Sequence, residues 1–231
     1  MRKMKSSAVI GDSKTIITNQ PGIHEKLESL VLKHLAHPSK KPVQAHTQLA
    51  FDEINEQVKQ HKGCVIFDSC CGVGQSTRLL AKMNPDALVI GIDKSAHRIN
   101  RNDDELLANT GTQQVNNYIL ARADLNDFYR LAVEAKWQVS KHFILYPNPW
   151  PKAKHIQRRW HGSAVFPEIL KLGGTLTLRS NWRLYLEEFQ FAAALTGKQG
   201  EITLVEDTQA LTPFEAKYQG SGQPCWQLFI N

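Results

Sequence analysis

Asp68, Gly72, Gly74 and Asp93 are the residues whose types and spacing first point to chemistry in this chain. An apolar, β-branched run (Val65, Ile66, Phe67) ends at Asp68, a short turn holds the two glycines, and Leu79, Leu80 and Met83 then recur at helical spacing. A buried strand that enters a helix through a glycine turn presents backbone N–H groups and a helix N-terminus at one edge of a sheet. In the dinucleotide fingerprint Gly-x-Gly-x-x-Gly the third glycine packs helix on strand, and that position here is Thr77. A second run, Leu88 to Asp93, ends in another carboxylate at about the interval expected of a ribose-binding acid. The pair suits a nucleoside with no pyrophosphate to cradle, and S-adenosylmethionine (SAM) is the commonest such ligand. An ordinary strand-to-helix turn with a capping aspartate is the alternative.

The stretch from Tyr146 to Arg159, YPNPWPKAKHIQRR, is the second unusual element. Its prolines forbid helix and remove backbone donors, so a stiff loop is expected directly after a strand. Lys152, Lys154, His155, Arg158 and Arg159 follow, with Trp150 and Trp160 beside them. Cations for phosphates and flat rings for bases make a nucleic-acid-binding composition; a solvated basic loop is the alternative. The formal charge of +6 agrees with an anionic partner.

Positioning these residues requires a sheet. At 231 residues the chain is long enough for one sizeable α/β domain plus an extension. Two helices are expected within Gly22 to His37 and Ala45 to His61, interrupted by Pro38 to Pro42, forming an N-terminal helical extension over 1–62 packed on a main domain over 63–231. His46 and Asp52 on this extension read as solvated helix residues. Beyond Asp93, Ser95 caps a helix to about Leu107, Tyr118 to Asp124 is a third strand ending in an acid, and Asp127 to Ala135 is a helix. His142 to Tyr146 is a fourth strand, Pro167 to Leu172 a short helix, and Thr175 to Arg179 a fifth strand. Ser180 or Asn181 caps the next helix, which carries Trp182, Tyr185, Leu186 and Phe189 on one face. Glu201 to Glu206 and Trp226 to Ile230 complete the sheet, with no helix-length pattern between them, and are expected to be antiparallel. Alternating strands and helices predict a doubly wound, mostly parallel, seven-stranded sheet with an antiparallel last strand. Ligands bind such sheets outside the carboxyl ends of the strands, where Asp68, Asp93, Asp124 and Asn148 all fall. Cys64, Cys70, Cys71 and Cys225 lack metal-site spacing, which argues against a zinc site or disulfide framework. No apolar stretch approaches membrane-spanning length, so a cytoplasmic protein without membrane attachment is expected.

These motifs together resemble the bacterial tRNA (guanine-N7-)-methyltransferase family. Its Asp-Pro-Trp-Pro-Lys and following basic run match Asn148-Pro-Trp-Pro-Lys152 and Lys154-His155-Ile-Gln-Arg158-Arg159. Its Leu-x-Pro-Gly-Gly matches Leu170 to Gly174, and its Thr-Asp-Trp with a following Tyr matches Ser180-Asn181-Trp182 and Tyr185. Its Thr-x-Phe-Glu is Thr212 to Glu215, and its terminal Gly-x-Pro-x-Trp-x-Leu is Gly222 to Leu228. Two family aspartates are replaced by Asn148 and Asn181, a motif glycine is Cys70, and the family's Gln-Gly-Arg segment is not evident in residues 1 to 60.

The resemblance implies a Rossmann-like class I SAM-dependent methyltransferase that methylates N7 of a guanine in the tRNA variable loop, without a metal. It implies that Asp68, Gly72, Gly74 and Asp93 hold the cofactor, that Asp124 lies near the adenine, and that Asn148 borders cofactor and base. Lys152, Asn181, Thr212 and Glu215 surround the target, with Asn148, Asn181 and Glu215 as the reacting-centre residues, and Lys154, His155, Arg158 and Arg159 hold tRNA phosphates. Methylation of an amino or amide nitrogen or of another RNA site, or a catalytically impaired SAM- or RNA-binding paralogue, are the alternatives. Whether the chain acts as monomer or homodimer stays open.

Overall fold

The computed structural model describes residues 12–101, 117–207 and 209–231. Seven strands form one sheet: β1 (Val65–Ser69), β2 (Leu88–Asp93), β3 (Tyr118–Arg122), β4 (Val139–Leu145), β5 (Thr175–Ser180), β6 (Gly200–Leu204) and β7 (Trp226–Ile230). Their order is β3-β2-β1-β4-β5-β7-β6, and β7 runs antiparallel to both of its neighbours. β1 is the pivot, pairing in parallel with β2 on one side and β4 on the other, and every one of its residues is buried. A strand enclosed on both edges and both faces must be continuously apolar, which is how Val65, Ile66 and Phe67 read. The strand order reverses between β1 and β4, so the crevice of such a sheet opens at their carboxyl ends.

The helices are α1 (Leu27–Ala36), α2 (Ala45–Gln60), α3 (Gln75–Met83), α4 (Leu125–Glu134), α5 (Phe166–Lys171), α6 (Arg183–Ala194) and α7 (Pro213–Gly220). Helix following Ser95 begins at 96, and residues 102–107 of the stretch expected to reach Leu107 lie outside the described residues. α1, α2, α4, α5 and α6 bury their apolar residues in one cluster on one face. Phe51 of α2 packs 5.3 Å from Phe128 and 5.5 Å from Trp137, and Phe128 stacks on Phe67 of β1 at 5.6 Å. α3 packs on the other face, through Leu80 and Ala81 against Ile66 and Val89. There the close approach is provided by Gly91 of β2, where a Cβ would stand 2.3 Å from Thr77 Oγ1. The small residue thus comes from the sheet rather than from the third fingerprint position.

Two expectations are corrected. β6 and β7 are antiparallel as expected, but α7 lies between them; Pro213 at its first turn and a capping Thr212 were the overlooked signals. Neither Ser180 nor Asn181 is the side-chain cap of α6: its N-cap is Trp182, Ser180 Oγ accepts from the Trp182 N–H at 3.0 Å, and Asn181 turns away to Gln223.

Candidate active site

Asp68, next to last in β1, is fully buried, its Oδ2 accepting the hydroxyls of Ser76 at 2.6 Å and Thr77 at 2.7 Å from the first turn of α3. Its Oδ1 is buried without a partner. Burial raises the carboxyl pKa to about 6, with the hydroxyls opposing the rise and Asp93 adding to it. Asp93 ends β2, accepting the Gly72 N–H at 3.1 Å and the Ser95 N–H at 2.8 Å, with Arg98 at 3.5 Å. The two carboxylates therefore bracket the glycine turn. Gly72 has φ +61° and nothing within 4 Å of where a Cβ would stand, so the turn opens onto free space. An unpartnered buried oxygen, an open glycine and a strand-end acid fit a nucleoside ligand.

Among the described residues, four non-glycine residues have positive φ, and three of them (Cys70 at 62°, Tyr146 at 50° and Trp150 at 44°) follow the carboxyl ends of β1 and β4. Such conformations cost on the order of 1–3 kcal/mol each and gather at functional sites. Below the rim, Tyr129 donates to Ser69 Oγ at 2.7 Å, and His142 Nε2 lies 2.9 Å from the same oxygen. Burial lowers the His142 pKa to about 3, so this knot is a neutral brace for the β1 turn.

The proline loop is held from beneath by Arg159. This side chain is fully buried. It donates to the Trp150 carbonyl from Nε at 3.2 Å and from Nη2 at 3.1 Å, and to Gln20 Oε1 at 3.1 Å, and it pairs with Glu188 of α6. Trp182 lies 4.8 Å from its guanidinium carbon. Arg159 was expected to hold phosphate; a fully buried, ion-paired guanidinium cannot reach one. Glu188 also accepts from His161 at 2.9 Å, the His24 N–H at 3.0 Å and Gln20 Nε2. Burial alone would raise the Glu188 pKa, but His161, Arg159 and Gln20 outweigh it and hold the value at about 2. Burial keeps His161 below its ordinary value, so it donates as a neutral ring.

Residues 13 to 24 form a strap along this rim: Thr18 donates to the Pro151 carbonyl at 2.7 Å, Asn19 Oδ1 accepts the Ala153 N–H at 3.0 Å, and Gln223 donates to the Ser13 carbonyl at 2.6 Å. Sequence reasoning missed Glu188 and Gln20. The available signal was a carboxylate three residues after Tyr185, on the stripe that must be buried and so must find a cation.

The other expected residues divide. Lys152, Lys154 and Arg158 are exposed beside His155, and Asn148 is exposed with Oδ1 3.4 Å from the Trp150 N–H. Trp150 is not an open ring: Arg158 lies 4.6 Å over it and His155 meets its edge at 5.6 Å. Asn181 donates to Gln223 at 2.8 Å. Thr212 Oγ1 accepts the Glu215 N–H at 3.0 Å, capping α7. Glu215 is buried, with Oε1 2.9 Å from Arg179 Nη1 and Oε2 unpartnered. Burial raises its pKa, and Arg179 opposes the rise. The buried Tyr146 hydroxyl faces this carboxyl and opposes the rise together with Arg179. Asp124 is turned onto its own helix, capping α4 through the Asn126 N–H at 2.9 Å. It lines a side hollow of about 550 Å³ with His34, Lys41 and Arg130. A larger groove of about 680 Å³ crosses the sheet face over Ile66, Phe143, Thr177 and Phe229, with Arg179 at its border. Among the described residues, no group of three or more His, Cys, Asp or Glu could hold a metal, and no helix is long and apolar enough to cross a membrane.

Residues 62–228 match the methyltransferase family Methyltransf_4. Curated relatives include the tRNA (guanine-N(7)-)-methyltransferase of Actinobacillus pleuropneumoniae, 27% identical over 185 residues, covering 76% of this chain and 72% of the relative. The protein of the same name from Shewanella baltica is 28% identical over 170 residues, covering 69% of each. Among solved structures, the antibiotic-resistance methyltransferase Kmr superposes with a TM-score of 0.54 at 16% identity, covering 84% of this chain and 96% of that one. The 16S rRNA (adenine(1408)-N(1))-methyltransferase from Catenulisporales acidiphilia, solved with SAM, gives 0.53 at 15% identity over 81% of this chain and 95% of that one. At such identities the structural likeness is one of fold.

Proposed function

Since the chain belongs to the Methyltransf_4 family of methyltransferases, we propose that it transfers the methyl group of SAM to N7 of a guanine in tRNA, in the variable loop. The observation that carries the reading is the convergence at one rim of the glycine turn bracketed by Asp68 and Asp93 with the strained, basic loop after β4. The names of the curated relatives support the acceptor.

SAM supplies a methyl already activated on a sulfonium, so the chain's task is to position donor and acceptor and exclude water. Asp93 would take the ribose hydroxyls, and Asp68 would offer its unpartnered Oδ1 to the cationic end of the cofactor. Gly72 lets the backbone approach, and Gly74, where a Cβ would stand 2.4 Å from Leu120, lets the turn pack on β3; Asn148 would border the methyl, and Asp124, capping α4, would close the adenine side.

Guanine N7 carries a free lone pair, so no residue needs to take a proton from it. The ring gains positive charge on methylation. Glu215 Oε2 is the carboxylate oxygen able to accept from the guanine N1–H and amino group and to favour that charge. Thr212 fixes Glu215 through its backbone N–H. Asn181, its nitrogen engaged by Gln223, would present its oxygen. Lys152, Lys154, His155 and Arg158 would meet the tRNA backbone, while Arg159 holds their loop.

Purified protein should bind SAM by calorimetry and convert an unmodified tRNA transcript to one bearing 7-methylguanosine. A deletion strain whose tRNA keeps its full 7-methylguanosine, or a protein with no SAM affinity, would overturn the proposal.

A further inference from the structure

We infer that Phe214, backed by Tyr218, is a stacking platform for the RNA base adjacent to the one that enters the rim. The inference rests on the reading of this site as one for RNA.

Sequence composition directs attention to the tryptophans for base stacking, but their surfaces are engaged. Trp150 carries Arg158 and His155, Trp160 packs against Tyr129 at 5.8 Å, Trp182 faces Arg159, and Trp226 lies under Arg183 at 4.6 Å. Phe214 differs, being 50% exposed. It sits four residues before Tyr218 on α7, so the two rings share a helix face, and they stack at 6.4 Å with 25° between planes. Tyr218 in turn lies 5.5 Å from Tyr146, the residue that follows β4. A line of rings therefore runs from solvent to the loop carrying Asn148. Phe214 also immediately precedes Glu215, about 100° around the helix, so one residue faces outward while the next points into the site.

The surroundings select an anionic partner. Lys217 is exposed on the same helix, and Lys152, Lys154 and Arg158 are exposed on the loop after β4. A strand whose phosphates meet these cations can lay a base on Phe214. Because every base offers a π-face, the platform orders the strand without reading its sequence.

The test compares wild type with Phe214→Ala, Phe214→Leu and Phe214→Trp. Affinity for an unmodified tRNA transcript is read by fluorescence anisotropy, methyl transfer by steady-state kinetics, and SAM affinity by calorimetry. Losing one stacked base should weaken tRNA binding about tenfold and raise KM for tRNA in Phe214→Ala, with kcat, SAM affinity and Tm unchanged. Phe214→Trp should restore binding, and Phe214→Leu should stay weak because it keeps apolar bulk without a π-face. The inference fails if Leu serves as well as Phe, or if Ala loses nothing. It fails equally if Ala changes the sedimenting mass of the free protein, which would mark a protein contact. A wild type that transfers methyl groups while Phe214 proves indifferent overturns the platform alone; a wild type that neither binds nor methylates tRNA overturns the site reading and the platform together.

Discussion

Two buried arginine–glutamate pairs lie beneath the rim, and they differ in what their carboxylates have left to offer. Glu188 accepts from Arg159, His161, Gln20 and the His24 N–H, and its pKa is driven to about 2. Glu215 accepts from Arg179, keeps one oxygen unpartnered, and has a raised pKa. The first pair is saturated and serves the architecture, joining the strap, the proline loop and α6. The second keeps capacity for one more donor, at the place where a base would arrive. Burial alone does not separate support from chemistry; the count of satisfied lone pairs does.

That contrast can be broken by substitution. The largest effect is expected from Arg159→Ala, which leaves Glu188 charged and unpaired in the core: about 3–5 kcal/mol of stability should be lost, read by urea unfolding. A loss confined to tRNA affinity, with stability intact, would return Arg159 to the phosphate-binding role. Glu215→Gln should spare most stability, because an amide can still accept from Arg179, yet lower kcat/KM for tRNA by about 10–100-fold, as expected for a charged hydrogen bond worth roughly 1.5–3 kcal/mol. Stability falling as far as in Arg159→Ala, at undiminished activity, would erase the distinction between the pairs.

A third prediction concerns pH. The Asp68 pKa is raised to about 6 in the fold, so the carboxyl takes up a proton as pH falls through 6, and its attraction for a cationic cofactor goes with it. SAM affinity should drop about tenfold between pH 7 and pH 5. Asp68→Asn should bind weakly at every pH, and a persistent pH dependence in that variant would assign the titration elsewhere. The folding sign is opposite to that of Glu188: ionising Asp68 above about pH 6 costs stability, whereas Glu188 contributes above the ordinary carboxylate range and loses its contribution as pH falls toward 2. The smallest effect is expected for Lys154→Ala: weaker tRNA binding by about 1 kcal/mol or less, with a shallower salt dependence, measured by titration at several ionic strengths.

Local features were legible in the sequence. The Asp68–Gly74 turn, the strand ending at Asp93 and the stiff loop after β4 depend on neighbours within a few residues, and the structure has them at the rim. Alternation of strands and helices conveyed the sheet. Long-range partnerships were not legible. Arg158 and Arg159 are adjacent and chemically identical, yet one is exposed over Trp150 and the other is buried against residues 29 and 139 positions away. A basic run read by composition has no means of telling which arginine turns inward. Glu188 is the counter-case, since its place on an apolar helix stripe announces a buried charge before any partner is known.

The strap has one more consequence, for the order in which the chain assembles. Gln20 is made early, but its partners Arg159 and Glu188 lie 139 and 168 residues further on. Its contacts with Arg159 and Glu188 cannot form until most of the polypeptide has been made, and the entropy of closing so wide a loop is offset only when the polar cluster forms. The strap of residues 13 to 24 is thus synthesised before the partners that fasten it, and it is these late partners that tie it to the loop following β4.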